Sequence, residues 1–267
     1  MKPFVSWTGG KSHLVPHIVK HVPMTCRSFI SPFLGGGAVE LATLECYRTI
    51  QHAYLSDANN RLIAAWRGVL RAPALIADEL DRLEARADFS RTRRELNAGF
   101  GPAHFIWCVQ RGFSALYREN SAGDYNTSED RDKKRPLPSR DKLCAVSNLL
   151  ASRSVRLTCQ SWESALSTHV PGEGDVVFLD PPYRGTFGGY HSSSWSPATS
   201  DALFAEIAVM TGRGATVILC ETVGVYDDVC RISGEPTEYV TRRKNTTNNG
   251  AVPSTMTEAI FVWRKPS

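Results

Sequence analysis

The chain has 267 residues, 42% of them hydrophobic and 22% charged, which suits one large domain or a domain carrying an insertion. That balance excludes a disordered chain, a coiled coil and a collagen-like repeat, and no apolar run approaches the roughly 18 residues of a membrane span. Thirty-one basic against 27 acidic side chains leave a formal charge of +4, compatible with a nucleic-acid partner without demanding one.

In chain order, the spacing predicts a short helix over 11–22, a strand at 28–30 and a helix over 38–47. The turn Phe33-Leu34-Gly35-Gly36-Gly37 joins the last two. A second strand is expected at 52–56, ending on Asp57, with Asn59 placed to cap the helix that follows. Strand, glycine-rich turn, helix and strand open a doubly wound α/β sheet. From 73 to 151 the pattern turns helical: amphipathic over 74–87, apolar and aromatic over 103–117, polar over 119–138, helical again over 139–151. This stretch reads as a helical insertion with an exposed basic loop. Strands return at 155–159, 175–179 and 215–220, helices at 199–211 and 226–232, and a terminal antiparallel pair at 238–244 and 258–263.

Basic residues gather in three knots: Lys2, Lys11, Lys20 and Arg27, then 131–142, then Arg242-Arg243-Lys244. Each reads equally as a solvated face or a phosphate contact. Seven scattered cysteines, with no C-x-x-C, suit buried apolar positions in a reducing compartment. The first residues carry no apolar signal region, so a cytoplasmic location is expected.

Asp180-Pro181-Pro182-Tyr183 carries the strongest local signal. It follows the strand at 175–179 directly, where ligands of open α/β sheets bind. Two prolines stiffen the turn and fix the direction of the Pro181 carbonyl. Asp180 and that carbonyl offer two acceptors, and Tyr183 a flat face, to a planar ring bearing an amino group. The second signal is Gly35-Gly36-Gly37 with Asp57, spaced as a turn for close backbone approach and an acid for ribose hydroxyls. Glu40 stands where a dinucleotide fingerprint needs its third glycine, which disfavours a pyrophosphate but tolerates a nucleoside. In Trp7-Thr8-Gly9-Gly10-Lys11-Ser12, Val5 replaces the upstream glycine of a phosphate loop, so that reading is rejected. Trp7 and Lys11 suit a nucleoside and its charged tail, with Trp7 as plain core the alternative.

These motifs, in this order, resemble the DNA adenine methylase (Dam) family of class D12 N6-adenine methyltransferases nearly end to end. Trp7-Thr8-Gly9-Gly10-Lys11 resembles its W-x-G-G-K, Pro32 to Ala38 its P-F-x-G-G-G-A and Ser56-Asp57-Ala58-Asn59 its x-D-x-N. Arg111 to Asn120 resembles the R-x-G-F-N-G-L-x-R-x-N of its recognition domain, and Gly123-Asp124-Tyr125-Asn126 continues as G-x-F-N. Asp180 to Tyr183 matches the catalytic tetrapeptide, and Tyr190 to Trp195 the loop after it.

The resemblance implies an α/β fold: a doubly wound, mostly parallel seven-stranded methyltransferase sheet, its catalytic domain formed by 1–70 and 152–267. A helical recognition insertion spans 71–151. It implies S-adenosyl-L-methionine as methyl donor, held by Trp7, Lys11, Phe33, Gly35, Gly36, Gly37, Asp57 and Asp180, and no metal. Asp180, Pro181, Pro182 and Tyr183 become catalytic, acting on an adenine flipped out of double-stranded DNA. Arg111, Phe113, Ser114, Leu116, Arg118, Asn120 and Asn126 become the DNA-binding set, with Phe113 as wedge or core and Arg118 on guanine or on phosphate. A monomer, a GATC-like site and a separately acting restriction nuclease all fit this picture.

Departures fall at Ser114 and Ala115, where the family has Asn and Gly, at Thr127 to Asp130 in place of V-P-F-G, and at Ser6. They bear on target sequence. An N4-cytosine methyltransferase, an inactive DNA-binding relative and an NAD-dependent oxidoreductase remain as rivals on the residues alone.

Overall fold

The computed structural model describes residues 1–132, 135–182, 195–222, 237–243 and 255–265. The amino-terminal half runs α1 (Val15–Val19), β1 (Ser28–Ser31), α2 (Ala38–Cys46), β2 (His52–Asp57) and α3 (Asn60–Arg71). Asn59 caps α3, its side chain accepting from the Leu62 amide at 2.9 Å. Then come α4 (Pro73–Arg86), α5 (Phe89–Asn97), α6 (Pro102–Arg111) and α7 (Arg140–Ala151). The remainder is β3 (Ser154–Cys159), α8 (Trp162–Thr168), β4 (Asp175–Leu179), α9 (Pro197–Gly212), β5 (Thr216–Thr222), β6 (Glu238–Arg243) and β7 (Thr255–Trp263).

All seven strands form one sheet in the order β3-β2-β1-β4-β5-β7-β6. The first five are parallel, and β7 and β6 close the edge antiparallel, as expected. Central strands are continuously apolar because both faces are covered. Val176 and Phe178 of β4 pack with Phe29, Ile218 and the helices α2, α3, α4, α6 and α7. Their neighbours Val177 and Leu179 pack with Leu203, Phe204 and Ile207 of α9 and Trp162 of α8. The helices of 71–151 share one apolar cluster with the sheet.

Several expectations need correcting. The first helix shrinks to five residues. The helix expected to reach residue 117 stops at Arg111, because Gly112 turns to extended backbone (φ −75°, ψ 151°). Helices α5 and α8, each capped by a side chain (Asp88, Ser161), went unread. Cys26, Cys108 and Cys220 are buried, but Cys46 and Cys159 are exposed. Lys133, Lys134, Tyr183, residues 190–194, the expected helix at 226–232, Cys230 and Lys244 lie outside the described residues.

Candidate active site

Strand order reverses between β1 and β4, since β2 and β3 continue on one side and β5 on the other. A crevice opens at the carboxyl ends of strands at such a point. Asp57, the glycine turn and Asp180 stand at the ends of β2, β1 and β4, three strands adjacent in that order.

The turn after β1 is tied down from β2. Leu34 N donates to Ser56 O at 2.8 Å, and Gly35 N to Asp57 Oδ2 at 2.9 Å. Asp57 Oδ1 accepts from Asn59 N at 2.9 Å, so this carboxylate braces the turn against the start of α3. Gly37 takes φ +73°, and a Cβ there would collide with the indole of buried Trp66. Trp66 Nε1 in turn donates to Gly35 O at 3.1 Å. A Cβ at Gly35 would lie 3.1 Å from Trp7 Cδ1, and one at Gly36 3.0 Å from Trp7 Cβ. Bare backbone is thus what the packing requires. Phe33 sets its ring edge-on to Trp195, centroids 5.7 Å apart.

Asp180 does not stand alone. Lys11, 4% exposed, places Nζ 2.8 Å from Asp180 Oδ1 and donates to Gly9 O at 2.6 Å. The sequence put Lys11 at the donor's charged tail; in the structure it is the ion-pair partner of Asp180. Burial raises the Asp180 carboxyl above its ordinary value, against the pull of Lys11. Burial works to lower Lys11, but Asp180 and its neighbours outweigh it and hold the ammonium charged. Asp180 Oδ2 has no hydrogen bond among the described residues. Pro181 is buried and Pro182 half-buried. Among the described residues no three His, Cys, Asp or Glu side chains gather as metal ligands.

Residues 111–130 double back as a hairpin held by two isolated antiparallel bridges, Gly112 with Glu129 and Glu119 with Tyr125. Phe113 N donates to Ser128 O at 2.8 Å, Asp130 N to Arg111 O at 2.8 Å and Asn126 N to Arg118 O at 3.0 Å. The side chain of Asn120 shapes the tip, accepting from Ala122 N at 3.0 Å and Asp124 N at 2.9 Å. Phe113 is 54% exposed, which disposes of the core reading. Arg118 is exposed, its Nε fixed by Asn126 Oδ1 at 3.0 Å, with no bond to its two terminal amines among the described residues. Leu116 is half-buried, its carbonyl accepting from Thr127 Oγ1 at 2.9 Å.

Arg111 sits elsewhere. It is 7% exposed, with Nε 3.0 Å and a terminal amine 2.9 Å from the Glu84 carboxylate, and its other amine on Arg135 O. Burial and its bonds to Glu84 and Arg135 leave it inside the fold, whereas the sequence reading counted it in the DNA-binding set.

Ser114 and Ala115 both adopt φ +53°, the left-handed region that penalises a Cβ. The departures from the family's Asn-Gly therefore fall on the two positions where those residues cost least. Asp130, another departure, props the pair: its Oδ2 accepts from Ser114 N at 3.3 Å while bonding Arg135 at 3.0 Å. Ser114→Gly should raise stability by about 0.5–1 kcal/mol, since its side chain is exposed. Ala115→Gly should gain nothing net, because its buried methyl is worth about as much as the strain. Denaturant midpoints measure both, and a lower midpoint for Ser114→Gly would show the turn is unstrained.

Sequence reasoning missed the contacts that join these parts. Trp7 stacks on buried Tyr117 (centroids 5.6 Å, 27°), Thr8 Oγ1 donates to Ala115 O at 3.1 Å, and Ser6 N donates to Gln110 Oε1 at 3.1 Å. Glu40, read from the sequence only as an obstacle to a pyrophosphate, lies buried in the first turn of α2, where its Oε1 accepts from Ser31 Oγ at 2.7 Å. A charged residue inside an apolar helix was the available signal.

The model of the D12 class of N6 adenine-specific DNA methyltransferases matches residues 7–229. The type II methyltransferase M.MjaIII of Methanocaldococcus jannaschii is 27% identical over 252 residues, covering 84% of this chain and 86% of its own. The DNA adenine methylase of Serratia marcescens is 30% identical over 220 residues, covering 76% of each. The type II methyltransferase M1.LlaDCHI of Lactococcus lactis subsp. cremoris is 29% identical over 196 residues, 68% of this chain and 66% of its own. With its tetrapeptide after β4, its glycine turn after β1 and a family match across most of its length, the chain belongs to the D12 class of N6 adenine-specific DNA methyltransferases, and so methylates adenine in DNA with S-adenosylmethionine as donor.

Proposed function

We propose that the crevice over β2, β1 and β4 binds donor and target in sequence along the sheet: ribose at Asp57, methionyl portion over the glycine turn, adenine at Asp180. The observation that carries this reading is the Lys11–Asp180 pair at the end of β4. Lys11 occupies one carboxylate oxygen and so orients the other, Oδ2, as a fixed acceptor. The residues fit the donor: the bare turn at Gly35–Gly37 admits it closely, and Trp7 and Phe33 supply apolar walls. When bound, S-adenosylmethionine supplies an electrophilic methyl group. Asp180 Oδ2 and the Pro181 carbonyl accept hydrogen bonds from the adenine amine, draw its lone pair out of conjugation and stabilise positive charge growing on nitrogen. Pro182 keeps that geometry stiff, and Tyr183 is assigned to the face of the extruded base.

Residues 71–151 act as the target-reading insertion. The hairpin is the element of a size to enter a major groove, which admits a two-stranded ribbon. Phe113 serves as wedge, the Arg118 fork reads a guanine, and Ser114, Leu116, Asn120 and Asn126 shape or line the ribbon. The substrate is duplex DNA, met by a monomer in the cytoplasm. The type II names among the relatives support pairing with a separate restriction nuclease, and the match to methylases of the Dam kind supports a GATC-like site.

Asp57 provides the test. Its two oxygens brace backbone amides, and a carboxylate accepts at several lone-pair sites, the chemistry that ribose hydroxyls need. Asp57→Ala should weaken donor affinity by about 10–100-fold, the worth of one or two bonds to a charged group, while the rate at saturating donor falls less. Unchanged donor affinity by calorimetry removes Asp57 from the ribose position.

A further inference from the structure

The mechanism above makes no use of Glu40. Its side chain is 3% exposed, and among the described residues its only side-chain partner, Ser31, is itself fully buried at the end of β1. No cation pairs with it among the described residues; the charged groups that act on it are Asp180 from β4 and Asp57 from β2, one on each side of β1. Burial first, then those two carboxylates, push Glu40 up to about 8, so it holds a proton at neutral pH. A buried carboxyl flanked by two carboxylates is costly to ionise until something positive arrives.

The donor is that cation. On the reading proposed above, on which this inference rests, its ribose lies at Asp57 and its methyl at Asp180, so its sulfonium crosses β1 between them. We propose that Glu40 is the counter-ion of the sulfonium: it keeps its proton while the site is empty or holds product, and releases it to solvent as the cationic donor binds. Transfer breaks the S–CH3 bond, forms the N–CH3 bond and frees one proton from the amine. The sulfur is then neutral, and Glu40 takes a proton back from solvent. Ser31 suits both states, because a hydroxyl donates to a carboxylate and accepts from a carboxylic acid. Glu40 would thereby favour donor over product, which matters to an enzyme whose product carries the same nucleoside.

Calorimetry at pH 7 in buffers of differing ionisation enthalpy counts the protons released on binding. S-adenosylmethionine should release close to one proton more than S-adenosylhomocysteine, whose amino-acid end is the same. Glu40→Gln keeps the volume and the Ser31 bond but cannot ionise, so it should abolish the difference and shrink the donor-over-product preference. In the wild type that preference should rise from pH 6 towards pH 8, by about tenfold per unit at the lower end, and then level. Equal proton release by the two ligands in the wild type overturns the proposal, whether or not the variant folds. A persisting difference in Glu40→Gln overturns it as well. A wild-type protein that binds neither ligand overturns the donor-site reading with it, so the two failures are told apart.

Discussion

Asp180→Asn should slow methyl transfer by about 10²–10³-fold and leave the fold in place. Lys11 Nζ lies 2.8 Å from Oδ1, and in the variant it will claim the amide oxygen. That forces the amide NH2 into the position of Oδ2, where it meets the amine of adenine donor against donor. The defect is therefore a reversed hydrogen bond, not a missing side chain. Asp180→Ala should lose activity to the same degree and stability besides, by about 3–5 kcal/mol, because Lys11 is left charged and buried without its partner. Single-turnover rates at saturating donor and DNA, set beside thermal melts, separate the two variants. Transfer by Asp180→Asn above a tenth of the wild-type rate would falsify the assignment.

The second large effect distinguishes two arginines seven positions apart in one motif. Arg111→Ala should destabilise the protein by about 1–3 kcal/mol, since it removes its two bonds to the Glu84 carboxylate, which Trp107 Nε1 continues to hold, and the one to the Arg135 carbonyl. Arg118→Ala should change stability by less than about 0.5 kcal/mol, as exposed positions do. Its consequence should appear in specificity: methylation relaxes at one base pair flanking the adenine, by roughly 1–3 kcal/mol of discrimination. Urea unfolding reads the first contrast, and methylation of a panel of singly substituted duplexes the second. If Arg118→Ala slows every duplex by the same factor, that side chain holds phosphate and the reading head lies elsewhere.

What separates Arg111 from Arg118 is a glutamate 27 residues upstream of the former, at position 84, and no local pattern announces it. The same holds across the hairpin. The apolar run through Phe105, Val109, Phe113 and Tyr117 reads as one helix, but the backbone turns extended at Gly112, where a Cβ would collide with the Tyr125 hydroxyl. That constraint comes from across the ribbon. By contrast β1, β2 and β4 were legible from short runs around Phe29-Ile30, Ala53-Tyr54-Leu55 and Val176–Leu179 that end where polar residues begin. Asp57 and Asp180 were legible for the same reason, being the first carboxylates past those runs. The pairing of Asp180 with Lys11 was not, because it joins residues 180 and 11 across a sheet whose order only the fold reveals. Helix α5 was missed on composition: its only large apolar side chains are Phe89 and Leu96, too few to set a period.

Trp7 touches two parts of the molecule that the proposed mechanism uses separately. One edge of its indole limits the glycine turn at Gly35, and a face stacks on Tyr117 at the base of the hairpin. A single rigid ring cannot shift for one neighbour without shifting for the other. A ligand that displaces the indole from either side therefore changes the other's affinity, and thermodynamic linkage makes the effect reciprocal: whatever factor DNA imposes on donor affinity, the donor imposes on DNA affinity. The sign of that factor is set by which position of the indole each ligand prefers, and its size by how far each displaces the ring.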